Sequence, residues 1–178
     1  MKVILLAVSL FLFSGLLLSA DNKAENILLY QRDNGGWPKN YDQDHKHTGA
    51  AKQKLRSEKK KDDATFDNGA TYTEVRYLAK AFKSTGDKRF EKAFLEGIEF
   101  MLDAQYNNGG WPQCHPHPKG YSARITFNDG AMIGVISTLR DISRNRTAFP
   151  FVNDDLRKRC GKAVGKGISC ILKCQIMV

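Results

Sequence analysis

The chain has 178 residues, long enough for one domain with its own core. Lysine and arginine number 28 against 19 acidic residues, for a formal charge of +9. Four cysteines are too few for a disulfide-built scaffold, and the basic balance points to an anionic partner without choosing its class.

Residues 2–20 read as one lysine followed by an apolar run that ends in Leu18-Ser19-Ala20, the layout of a secretory signal peptide cleaved near Ala20. The competing reading is a single membrane anchor, but the run is only just long enough to span and no basic cluster follows it directly. Export argues against nucleic acid as the anionic partner. Much of the positive charge sits between Lys46 and Lys61, and residues 42–64 are expected to form a basic, flexible, solvated loop.

The chain then repeats itself. Gln31-Arg-Asp-Asn-Gly-Gly-Trp-Pro38 returns as Gln105-Tyr-Asn-Asn-Gly-Gly-Trp-Pro112. Thr65-Phe-Asp-Asn-Gly-Ala70 returns as Thr126-Phe-Asn-Asp-Gly-Ala131. The stretch from Lys92 to Gln105 returns from Lys162 to Gln175. The unit is therefore a helix, a Gly-Gly-Trp-Pro turn, a long loop, an acid-amide motif and another helix. Between Ala70 and Phe82 the apolar positions Val75, Leu78, Ala79 and Phe82 predict one helical stripe. Phe90, Phe94, Ile98, Met101 and Leu102 predict another up to Ala104, with Thr85-Gly86-Asp87 as the turn and Asp87 as N-cap. Asn153-Asp154-Asp155 opens a last helix running to Gln175. No alternating strand pattern is present, so the class is all-α. A hairpin of this kind hides one face, and stacking hairpins in a ring hides the rest. About two and a half units are visible, so the expected architecture is an incomplete (α/α) toroid of helical hairpins.

Within the unit, glutamine can tie a helix end to the next turn, and the glycines permit positive φ. Trp37 and Trp111 either lock that junction or line a sugar-binding cleft. Asp67 with Asn68, and Asn128 with Asp129, stand just before helices. They suit N-caps, yet in a ring of hairpins equivalent helix starts share a rim, so Asp67 and Asp129 are candidates to converge as hard oxygen ligands for Ca²⁺. Among the cysteines, Cys170 and Cys174 are poorly placed to bridge each other; a Cys160–Cys174 bond and free thiols both stay open. Cys114-His115-Pro116-His117 lacks a second ligand pair at zinc spacing. Asn145-Arg146-Thr147 is a glycosylation sequon.

Four segments, Asn26 to Asn40, Asp67 to Ala79, Ala104 to Gln113 and Ile125 to Met132, together resemble the pectate lyases of polysaccharide lyase family 10. The resemblance implies a toroid of helices and Ca²⁺-dependent β-elimination of polygalacturonate, an acidic polysaccharide. It implies that Asp67 belongs to the catalytic cleft and Asp129 binds calcium, the two serving jointly as catalytic and metal-holding carboxylates. By position and charge, Lys39 and Arg124 are candidates to meet uronate carboxylates; Asn68, Asn128, Trp37 and Trp111 are candidates to contact sugar. The family's arginine base falls beyond residue 178, so the chain is expected to be the N-terminal half of the catalytic module. A binding remnant without cleavage is the alternative, and a terpene-cyclase-like toroid lacks its acidic proton-donor motif here.

Overall fold

A computed structural model describes residues 21–175; the expected signal peptide lies outside them. The described residues form six α-helices and no paired strands beyond one isolated bridge between Thr65 and Cys114. None of these helices is long and apolar enough to cross a membrane. The helices are α1 (Asn22–Tyr30), α2 (Gly49–Ser57), α3 (Tyr72–Thr85), α4 (Lys88–Asp103), α5 (Ala131–Arg144) and α6 (Asp154–Lys173).

The boundaries follow local chemistry. The Asp87 carboxylate accepts the Arg89 amide to start α4, and the Asn153 side chain accepts the Leu156 amide to start α6. Gly86 ends the preceding helix in the left-handed region, at φ 72°. Val75, Leu78 and Ala79 of α3 are buried, as are Phe90, Phe94, Ile98 and Met101 of α4. α3 pairs with α4 and α5 with α6 as hairpins. Across hairpins α3 meets α5, while α1, α4 and α6 form the second row. Two rows of helices joined by hairpins make an arc of an (α/α) toroid, held by one continuous apolar core.

The repeat is visible atom by atom. Gln31 Nε2 donates to Gly35 O at 3.1 Å and to Ala93 O of α4 at 2.9 Å. Gln105 Nε2 donates to Gly109 O at 2.9 Å and to Ala163 O of α6 at 2.8 Å. Each glutamine so ties its own turn to the next hairpin. Gly35 and Gly109, at φ 90° and 93°, press against the Glu96 and Lys166 carbonyls, where any Cβ would stand 2.4 Å and 2.2 Å from oxygen.

Two expectations need correction. Trp37 and Trp111 are fully buried, and their indole N–H groups donate to Ile27 O and Met101 O, both at 2.7 Å. A ring with no accessible face cannot stack on a sugar, so both tryptophans are structural and not substrate-binding. Residues 42–64 are also not a bare flexible loop. They contain α2, capped by Thr48, and are tied down by Asn26 Nδ2, which donates to Gln43 O and His45 O at 2.8 and 2.7 Å. Farther along, Arg32 pairs with Asp63 at 2.5 Å. α2 buries none of its residues fully, so it carries no apolar stripe to read. All four cysteines are free, with Cys160 and Cys170 buried.

Candidate functional site

α1, α2, α4 and α6 each start on a side-chain cap, from Asp21, Thr48, Asp87 and Asn153 respectively. α3 and α5 do not. The acid-amide motifs in front of them form short 3-10 turns, Asp67–Gly69 and Asn128–Gly130, whose carboxylates are left for other work. The second residue of each turn is left-handed, Asn68 at φ 51° and Asp129 at φ 48°. Asparagine and aspartate tolerate that conformation best, which accounts for the swap of acid and amide between copies. Thr71, buried and at φ 71°, stores strain beside the first turn. Its hydroxyl donates to Thr65 O at 2.9 Å and accepts the Trp37 amide at 3.0 Å, locking the acid turn to the Gly-Gly-Trp-Pro turn.

The two turns pack against each other. Asp67 is buried and Asp129 exposed, each on its own turn of this packed pair. Lys39 Nζ pairs with Asp67 Oδ2. Burial pushes the Asp67 carboxyl up, but the Lys39 hydrogen bond and charge outweigh it and hold the carboxyl below its ordinary value. The Asp67 contact in turn holds the Lys39 ammonium above its ordinary value. Asp67 Oδ1 and Gln113 Oε1 remain buried acceptors with no hydrogen-bond donor. Asn68 Nδ2 donates to Asn40 Oδ1 at 3.1 Å, and Asn128 Nδ2 to Asp129 Oδ2 at 2.6 Å, so both amides sit on the same rim. Arg124 is exposed and forms no ion pair among the described residues.

Lys39, Asp67 and Gln113 line a cleft of 480 Å³ together with Cys114 and Tyr121. Gln113 carries no motif of its own, although the repeat points to it: it follows the second Gly-Gly-Trp-Pro directly, the place that Lys39 takes after the first. Tyr72 is a second residue that the sequence reasoning missed. Its ring lies on Gly134, where a Cβ would be 2.3 Å away, and its phenol is raised by burial and by the charges of Glu74, Asp129 and Asp67. No spacing signal marks it, because its repeat counterpart is Ile133.

The Lys39–Asp67 pair has a definite pH signature. The depressed Asp67 value contributes stability that is present above pH 3.8 and is lost as pH falls through the folded value. Asp67→Asn should therefore show a smaller drop in urea midpoint than the parent between about pH 4 and pH 2. Equal drops would show that the pair adds nothing to folding.

The geometry defines an arc of helical hairpins with a small acidic rim and an adjoining polar cleft that holds Lys39. The profile of the pectic acid lyase family matches residues 31–178, and the chain belongs to that family. A family 10 polysaccharide lyase from Cellvibrio cellulosa superposes with a TM-score of 0.77 at 35% identity. An Asp-to-Ala mutant of the Cellvibrio cellulosa family 10 lyase, solved in complex with trigalacturonic acid, gives the same TM-score at 34% identity. Each match covers 88% of this chain and 47% of the other, so this chain spans about half their length. Curated protein sequences give no match.

Proposed function

We propose that the rim formed by Asp67 and Asp129 binds de-esterified polygalacturonate with Ca²⁺ and serves its cleavage by β-elimination. One observation carries the reading: the turns that bear the two carboxylates, from successive repeats, pack against each other, and the lysine beside them covers only one oxygen of Asp67. Carboxylates on neighbouring turns repel unless a proton or a cation offsets them.

The donor set fits calcium. Asp67 Oδ1 and Gln113 Oε1 are orphaned oxygens, and Asp129 adds a second carboxylate, which Asn128 Nδ2 orients by donating to its Oδ2. No three His, Cys, Asp or Glu side chains converge among the described residues, so the set is too small for a closed site. That suits an ion whose shell is completed by water and a uronate carboxylate. A calcium ion held by Asp67 and Asp129 would neutralise the uronate charge and so lower the cost of removing the C5 proton.

This chain's own residues orient the sugar. Lys39, half-exposed and fixed by Asp67, is placed to take a second uronate carboxylate oxygen. In the reaction the C5–H bond breaks to a base, its electrons form the C4–C5 double bond, and the glycosidic oxygen leaves C4 with a proton. Asp67, held ionised, is a weak base, and Lys39, held protonated, is none. Proton removal therefore falls to a group outside this set, in keeping with the arginine that the resemblance implies. An acidic polysaccharide substrate also fits export of the protein to where such polymers lie.

The test is ultraviolet absorbance of unsaturated uronate released from polygalacturonate, alongside calorimetric binding of trigalacturonate, each with calcium and with chelator. Calcium-dependent product supports the enzyme. Calcium-dependent binding without product supports a binding module. Absence of both product and binding would overturn the reading.

A further inference from the structure

With both tryptophans buried, the cleft holds one aromatic ring open to solvent. Tyr121 lines it beside Lys39 and Asp67 and is 76% exposed. A ring so bare contributes nothing to the core, yet its backbone is held tightly. It sits in the 3-10 turn Gly120–Ala123, where Ser122 Oγ donates to Lys119 O at 2.7 Å and accepts the Lys119 amide at 3.1 Å. Gln113 N donates to Ser122 O at 3.1 Å, and Tyr106 Oη donates to Ala123 O at 2.8 Å. The turn thus presents the phenol from a fixed base against the cleft. Lys119 and Arg124 flank it in sequence, both exposed and in no ion pair among the described residues, while the two acids that line the cleft, Asp63 and Asp67, are already paired with Arg32 and Lys39. Lys39 is close enough for the Tyr121 phenol to influence its ionisation.

We infer that Tyr121 is the platform of a uronate subsite, stacking on the C–H face of one sugar ring while Lys39, Lys119 and Arg124 receive carboxylates. The inference rests on the function proposed above for its substrate class. An aromatic face alone accepts any pyranose; the surrounding cations make the site selective for an acidic one. An ordered turn holds the ring ready, so little conformational freedom is lost on binding.

Calorimetric titration of the whole chain with trigalacturonate, and with a neutral galactose trisaccharide, tests this. Tyr121→Ala should weaken trigalacturonate binding about tenfold, the size of one aromatic contact, while Tyr121→Phe keeps it. The thermal midpoint of both variants should match the parent, because the ring packs on nothing. Lys119→Gln should weaken trigalacturonate binding and reduce its dependence on salt. Unchanged affinity in Tyr121→Ala, with the parent binding normally, overturns the platform and leaves the proposed function standing. A parent that binds no trigalacturonate overturns the proposed function itself, and the platform with it. Equal affinity for the neutral trisaccharide overturns the selectivity.

Discussion

Replacing Asp67 and Asp129 together by alanine should move trigalacturonate affinity in opposite directions, weaker with calcium and tighter with chelator. In the parent, two carboxylates on one rim repel an anionic sugar until a divalent ion reverses the local charge. Removing both deletes the ion's ligands and the repulsion in the same step. It also releases Lys39, now tied to Asp67, to pair with the uronate. The ratio of affinities with and without calcium is the coupling between the two ligands, and it is reciprocal. The ratio should fall to about one in the double variant, against roughly a hundredfold in the parent. The fold should survive: Asp129 is exposed, and Lys39 keeps its solvation when Asp67 goes. A double variant that retains the parent's calcium response would remove these carboxylates from the metal site.

Much of this architecture was legible because the chain is written more than once. Aligning the copies pairs Gln31 with Gln105 and Ala93 with Ala163, and the structure joins those residues by the same hydrogen bonds. The meeting of the two acid motifs was legible as geometry, since equivalent helix starts share a rim. What could not be read was which side of each motif residue faces water. Asp67 is buried while its repeat counterpart Asn128 is exposed, because the loop bearing Gln113 closes over the first copy: Gln113 O accepts from the Phe66 amide and from Thr65 Oγ1. Tyr121 was illegible for a related reason. An isolated aromatic in a proline-rich loop has no periodic neighbours, and only the packing shows that nothing covers it.

The tryptophans make the sharpest stability prediction. Trp111→Ala should cost about 3–5 kcal/mol for the emptied volume. The Met101 carbonyl, which accepts the indole N–H at 2.7 Å, would lose its donor and add about 1–3 kcal/mol. A domain of this size has only about 5–15 kcal/mol to lose, so the thermal midpoint seen by circular dichroism should drop steeply or vanish. A partner residue turns the experiment into a test of mechanism. Gly167 in α6 lies under the ring, and a Cβ there would meet Trp111 Cζ3 at 2.8 Å. Gly167→Ala alone should therefore destabilise the parent, despite a gain of about 1 kcal/mol in helix propensity. In the Trp111→Ala background the ring is gone and only the flexible Ile136 side chain, 2.9 Å from the new Cβ, has to give, so the substitution should cost clearly less than in the parent. A Gly167→Ala cost that shrinks when the indole is absent is the mark of direct packing. Two destabilising results that simply add would mean that the indole acts elsewhere, and the role of Trp111 as the lock between hairpins would be wrong.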